Sequence, residues 1–301
     1  MPRASLVITS YEQKAYLAEA VESALAQTRP FDEIVIVDDG SRDGSSELIR
    51  GYAAREQGRV TSVQLPHSGS IPRVRRAGLE KTTGDLVSIL DGDDRLRPGF
   101  LAAFLDALEQ LPGAGVAYSN VAFIDAAGAP LHLRDAAPQP SGPALAHVAA
   151  GAMGLLRGLL ARRDLVARAG GLDERFPKYD GFVLTLRLAA LTPFAYLFEP
   201  LVEYRVHPAG DSHSFGAAAH LRYLEEVRDE VERVIADRPE VERQNVQAAW
   251  RHRLLVHGVE ADIEAGGVFA PWPRLLAAAA RDPRTLPGVL RAWRGAARPR
   301  R

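Results

Sequence analysis

Three carboxylates, Asp91, Asp93 and Asp94, follow the apolar run Leu86–Leu90 in the stretch LVSILDGDDRLRP. Extended backbone sends alternate side chains to one face, which would aim Asp91 and Asp93 the same way. Two like charges that close repel unless a cation lies between them. Hard carboxylate oxygens suit Mg²⁺ or Mn²⁺, ions that commonly clamp substrate phosphates. The plainer alternative is a solvated acidic turn that caps the helix starting near Pro98. A second acidic group, Asp38-Asp39-Gly40-Ser41, closes the run Ile34–Val37. A carboxylate there can accept hydrogen bonds from a nucleobase N–H or a ribose hydroxyl, or it can serve an Asx turn before the next helix. Arg73, Arg75 and Arg76 lie on one short segment after Gly69. They offer paired hydrogen bonds to a diphosphate, or they form a solvated basic helix face.

These groups need a scaffold that brings them to one edge. Leu86–Leu90 and Ile34–Val37 read as buried parallel strands, and open α/β sheets bind ligands beyond the carboxyl ends of such strands. Ser5–Thr9 and Val60–Leu65 are further strands. Helices are expected over Lys14–Gln27, Ser45–Arg55, Arg73–Lys81 and Phe100–Leu111, from apolar residues at helical spacing. Val116–Ile124 reads as a strand. The alternation implies an α/β fold whose mostly parallel sheet is flanked by helices. Between His132 and Pro143 the prolines Pro138, Pro140 and Pro143 break the pattern, which predicts an irregular loop, either a lid or a surface insertion. Ala161–Gly170 is expected to be helical and capped by Gly170-Gly171, Phe182–Leu191 to be a buried helix, and Pro200–Val206 to be a strand. After about Ser214 the chain reads as helical, over His220–Ala236, Glu242–Ala265, Pro273–Ala280 and Leu286–Ala297. The expected division is residues 1–213 and a helical extension, 214–301.

Whole-chain composition narrows the class. The 301 residues carry a formal net charge of −1, which argues against a nucleic-acid partner. With no cysteine, disulfides and thiolate-bound zinc are excluded. The N-terminus lacks a long apolar core, and no uncharged run of about 18 apolar residues occurs, so a cytoplasmic protein is expected. From Arg274 to the end there are eight arginines and one acidic residue, Asp282, interleaved with Leu275, Leu276, Leu286, Val289, Leu290 and Trp293. Such a tail could lie on an anionic membrane surface at the inner face, or form a docked helical cap with a basic end.

SLVITSYEQ, LAEAVESALAQT, DEIVIVDDGSRDGS, a Gly–x–x–x–x–Arg segment, GDLVSILDGDDRLRPGFL and ARRDLVARAGGLDERFP occur in this order. Together they resemble the family 2 glycosyltransferases, over about Ser5–His207. The resemblance implies a GT-A fold, a nucleotide-diphospho-sugar donor (UDP-, dTDP- or GDP-sugar), a divalent metal, and inversion at the anomeric carbon on transfer to a sugar or lipid-linked acceptor. It places Thr9, Tyr11 and Asp39 at the donor base, Arg75 near the donor phosphates, and Asp91 and Asp93 in the DxD motif. Asp93 then ligates the metal, and Asp91 or its neighbour reaches the ribose. Tyr204-Arg205-Val206-His207 resembles the family's late YRxH segment, which gives His207 a place at the metal or phosphate.

The base departs from the family pattern. Members usually carry Glu-Asp a few residues after GGFDE, whereas GGLDERFP is followed here by Lys178-Tyr179-Asp180-Gly181. Asp180 falls on the Glu and Gly181 on the usual base, so Asp180 is the candidate. Asp173 and Glu174 are expected to be structural or acceptor-facing. A QxxRW motif is absent, which points to single addition over processive synthesis. Two alternatives stand beside this reading: a non-catalytic nucleotide-sugar-binding protein and a sugar-phosphate nucleotidyltransferase. The sugar, the nucleotide, the acceptor and the oligomeric state stay open at this point.

Overall fold

Strands β1 (Ala4–Ser10), β2 (Glu33–Asp38), β3 (Val60–Gln64) and β4 (Leu86–Asp91) pair in parallel in the order β3-β2-β1-β4. The computed structural model describes residues 2–151, 158–210, 216–267, 270–281 and 293. Every residue of β1 is buried, as expected of a strand covered on both faces. Helices α1 (Lys14–Leu25), α2 (Ser45–Arg55) and α3 (Ile71–Leu79) make the crossovers. Helix α3 sits very close to the sheet. A Cβ on Gly78 would lie 2.3 Å from Val7 Cγ1 and 3.0 Å from Val37 Cγ2. Residues three apart share a helix face, so the same close approach carries Arg75 over the strand ends.

The sheet changes character beyond β4. It continues through β8 (Leu159–Arg162), β6 (Val116–Ile124), β9 (Phe194–Arg205) and β5 (Arg95–Leu96), with β7 (Pro130–Leu133) on β6. Strand β8 is antiparallel to both β4 and β6, while β6 and β9 are parallel. The α/β class stands, and the parallel order belongs to its first half. Helices α4 (Phe100–Gln110), α6 (Arg163–Arg168) and α7 (Asp180–Leu191) complete this part.

Two expectations are corrected and one is refined. Ala161–Gly170 is not one helix: its start belongs to β8, and only Arg163–Arg168 is helical. An apolar run as short as Leu159–Ala161 has no period to tell strand from helix. His132–Pro143 is irregular beyond Leu133, as expected, but it is tied down. It begins in β7, Arg134 N–H donates to Val121 O, Gly142 pairs with Phe194, and Tyr196 N–H donates to Ser141 Oγ. His220–Ala236 is two helices, α8 (Ala217–Glu226) and α9 (Arg228–Ile235), which meet at Val227.

The chain forms two units: residues 1–144 with 153–207, and residues 145–152 with 208–301. In the second, the short helix α5 (Leu145–Ala149) joins α8, α9, α10 (Glu240–Gly266) and α11 (Trp272–Arg281). Val259 and Leu275 pack with Leu255, Ile263 and Trp293. The 213/214 division and, apart from Trp293, the helix expected over Leu286–Ala297 lie outside the described residues. No helix among the described residues is long and apolar enough to cross a membrane.

The second unit holds a pair of histidines in ring contact. His220 and His257 rings lie 4.4 Å apart, and His257 Nδ1 is 2.9 Å from Glu260. Burial, with His257 and Arg253 close by, pushes His220 down to about 4 against the pull of Glu260. An unfolded histidine takes its proton near pH 6.5. The unfolded chain therefore binds a proton that the folded chain refuses, and stability is lost as pH falls from about 6.5 towards 4. Denaturant titrations at pH 7 and pH 5 should show a smaller acid loss for His220→Gln than for the parent.

Candidate active site

The first-half strands end beside one another. Thr9 is in register with Val37 on one side and Asp91 on the other, and Thr9 Oγ1 donates to Asp91 Oδ1 at 3.2 Å. Strand β4 stops at Asp91. Asp94 N–H donates to Asp91 O at 3.0 Å, which folds the next residues into a turn. The turn, not strand alternation, gathers the carboxylates of Asp91, Asp93 and Asp94 within 4.8 Å of one another. Gly92 is required there, because a Cβ would lie 2.8 Å from Thr9 O.

Each carboxylate has a different neighbour. Arg75 Nη2 donates to both oxygens of Asp91, at 2.8 and 3.0 Å, and Nη1 to both oxygens of Asp180, at 3.2 and 3.0 Å. The Asp94 carboxylate accepts from Arg205 N–H at 2.9 Å. Asp93 Oδ2 lies 3.0 Å from His207 Nε2, its one hydrogen-bond partner among the described residues. Arg75 is buried, and burial works against its charge, yet Asp91 and Asp180 outweigh that and hold its guanidinium above the ordinary value. Its Nε is also buried and has no hydrogen-bond partner among the described residues. Asp91, Asp93 and Asp94 offer hard oxygen donors of the kind a small divalent cation takes, and His207 adds an imidazole beside Asp93.

Asp38 and Asp39 divide the tasks that the sequence left open. Asp38 forms the turn: it accepts from Ser41 N–H, Ser41 Oγ and Ser46 Oγ. Asp39 instead clamps the segment after β3, accepting from Ser68 N–H, Ser68 Oγ and Gly69 N–H at 2.8–3.1 Å. His67 Nδ1 lies 3.0 Å from Asp39 O, and the His67 ring stacks on Tyr11 at 4.2 Å with planes 18° apart. Beside Tyr11, Glu12 has φ of +53°, a strained value for a side chain of this size. Its N–H donates to Ser41 Oγ and its carboxylate accepts from Arg42 N–H. The half-exposed Tyr11 ring is thus held from both sides of the loop.

Asp180 opens α7 and is 3% exposed. Asp173 is tied to Arg175 and Arg187; the Arg175 bond, with Arg187 adding to it, holds its carboxyl far below the usual range despite some burial. Glu174 pairs with Arg76. Neither residue type nor spacing had marked His67 or Tyr16. The signal for His67 was its place in a Pro-His-Ser-Gly loop at the same sheet edge. Arg205 was visible only as a letter inside the YRxH segment.

Residues 5–146 match the Glycosyl transferase family 2. That stretch, a little under half of the chain, is similar to the family. Thr9, Tyr11, Asp39, Arg75, Asp91 and Asp93 fall inside the matched stretch; Asp180 and His207 lie beyond it. The chain is similar to the putative teichuronic acid biosynthesis glycosyltransferase TuaG of Bacillus subtilis, 33% identical over 31% of this chain and 37% of that protein. It is also similar to the succinoglycan biosynthesis protein ExoO of Rhizobium meliloti, 30% identical over 44% of this chain and 37% of that protein. The chain thus spans little more than a third of the length of these curated relatives. Among solved structures, Staphylococcus aureus TarS residues 1–349 in complex with UDP aligns with a TM-score of 0.66 at 17% identity, over 99% of this chain and 93% of that one. Its complex with UDP-GlcNAc aligns with a TM-score of 0.62 at 15% identity, over the same shares. The described sheet and its helices share the GT-A fold of those structures.

Proposed function

We propose that this chain transfers a sugar from a uridine diphosphate donor to an acceptor hydroxyl, with inversion at the anomeric carbon. The observation that carries the reading is the network at the end of β4. There Thr9, Asp91, Arg75 and Asp180 are joined by hydrogen bonds, and Asp93 faces His207. The TarS complexes support uridine over thymidine or guanosine. The teichuronic acid and succinoglycan relatives support a cell-envelope polysaccharide or glycoconjugate product with a sugar or lipid-linked acceptor.

In this reading Tyr11, stacked on His67 and backed by Asp39, offers a flat wall for the uracil. A Mn²⁺ or Mg²⁺ ion at Asp93 and His207 would neutralise the diphosphate as it leaves. Arg75 keeps Asp91 and Asp180 in place, and its Nε is the N–H left for a donor oxygen. Asp180 takes the proton of the acceptor hydroxyl. The charge contrast supports peripheral contact of the protein with an anionic membrane surface, since residues 274–301 are strongly basic in a chain of net charge −1.

The engagement of both Asp180 oxygens by Arg75 favours a second reading, a nucleotide-sugar-binding protein without turnover. A thermal-shift series with UDP, dTDP and GDP, each with and without Mn²⁺, tests the shared part. Selective binding at 100 times Kd adds about 2.7 kcal/mol of stability. UDP with Mn²⁺ should stabilise more than UDP alone, and Asp93→Ala should remove the difference. Equal shifts in parent and variant would remove Asp93 from the site. Release of free sugar or transfer to an acceptor then separates enzyme from binding protein.

A further inference from the structure

Arg205 ends β9, and its side chain has no exposed surface. A guanidinium taken out of water is costly unless its donors are used. Here they go mainly to backbone carbonyls. Nε donates to Asp93 O at 2.8 Å, Nη1 to Ala126 O at 3.0 Å, and Nη2 to the Glu19 carboxylate at 2.8 Å. Its own N–H donates to the Asp94 carboxylate. The guanidinium lies 4.8 Å over the Tyr16 ring, and the His207 ring lies 4.6 Å from the same ring. One residue therefore touches the turn that carries Asp93, the turn between β6 and β7, and the ring that backs His207.

Stability alone does not call for this arrangement, since a buried ionic group can often be exchanged for apolar residues of like volume without loss. A fork of donors spent on the carbonyls of a turn fixes where that turn runs. We propose that Arg205 is the positioning residue of the cation site. It holds the backbone of Asp93 and, through Tyr16 and its own place two residues before His207, keeps the Asp93 carboxylate and the His207 imidazole facing each other. Arg205 touches no substrate and is not a catalytic residue. The inference rests on the metal-assisted reading above and adds a residue to which that reading gave no role.

The test is Mn²⁺ binding to the full chain at saturating UDP, followed by the electron paramagnetic resonance signal of free Mn²⁺. Loss of a partner that orients a metal ligand typically weakens metal binding about 10–100-fold, and Arg205→Lys should fall in that range. The lysine keeps the charge but puts one ammonium where a fork met two carbonyls and a carboxylate. Its UDP affinity in EDTA should stay within about twofold of the parent, because Tyr11, His67 and Asp39 lie on other turns. Tyr16→Leu, which leaves every Arg205 hydrogen bond in place, should weaken Mn²⁺ by at least about threefold and carries the test if Arg205→Lys does not fold. Parental Mn²⁺ affinity in either folded variant overturns the inference. So does a metal-free UDP affinity that falls by the same factor as the Mn²⁺ affinity, which marks a merely structural role. Asp93→Ala separates the two levels: if it too binds Mn²⁺ like the parent, the metal site itself is wrong; if it alone loses Mn²⁺, only the role of Arg205 fails.

Discussion

Asp180→Asn is expected to cut sugar transfer at least about 100-fold, the lower end of what a placed general base contributes. Its Kd for UDP with Mn²⁺ should stay within about threefold of the parent, since asparagine keeps the shape and an acceptor oxygen for Arg75. The competing carboxylates are poorly suited to the task. Asp173 is held far below the usual range by Arg175 and Arg187, which makes it a weak base, and Glu174 is an exposed side chain on the surface, unlike the buried Asp180. Gly181, at the position usual for the family's base, offers only backbone, and its carbonyl accepts from Thr185 Oγ1. Transfer assays with single-turnover donor, alongside calorimetric UDP titration, read both quantities. An asparagine variant that keeps its transfer rate moves the base to another group. One that loses UDP makes Asp180 part of the donor site.

The second large effect concerns Arg75. Arg75→Met removes the guanidinium that joins the Asp91 and Asp180 carboxylates. Breaking a buried pair in this way costs about 3–5 kcal/mol, because an uncompensated charge stays behind. At about 2–4 °C per kcal/mol for a domain of this size, the melting temperature should fall by roughly 6–20 °C. Arg75→Met combined with Asp180→Asn should recover part of the loss, since the double variant buries one charge fewer. Equal stability of the single and double variants would show that the two carboxylates are not coupled through the guanidinium. Arg75→Lys should fall between parent and Arg75→Met, because one ammonium cannot span both carboxylates at 2.8–3.2 Å.

The parts of this structure legible in the sequence are those with a local period. The runs of β1, β2 and β4, and the helices between them, have the alternation of buried strand and amphipathic helix, and their ends carry the acidic turns. The later half was harder to read. Strand β8 is four residues long with an arginine at its end, too short to show a period, and its antiparallel pairing with β4 is set by a partner far along the chain. In the site, residue types suggested the chemistry of Asp91 and Asp93, and the family resemblance that of His207, but not the hydrogen-bonding detail. That Asp38 makes the turn while Asp39 grips Ser68 and Gly69 depends on which face each side chain takes. That Arg75 joins Asp91 to Asp180 depends on a contact across 105 residues, which no spacing rule contains.

The membership of α5 in the second unit bears on how the chain comes off the ribosome. Leu145, Val148 and Ala149 are buried, and the long helix α10 that α5 packs against begins only at Glu240. At about 5–20 residues per second, residues 150–239 take on the order of ten seconds to synthesise. A helix of one or two turns does not hold itself together in water. For that interval residues 145–149 are an apolar strip without a stable shape, though the four parallel strands before them are already made. Slow translation through this interval would lengthen the exposure of that strip, and an expression clone ending near 213 would make it permanent.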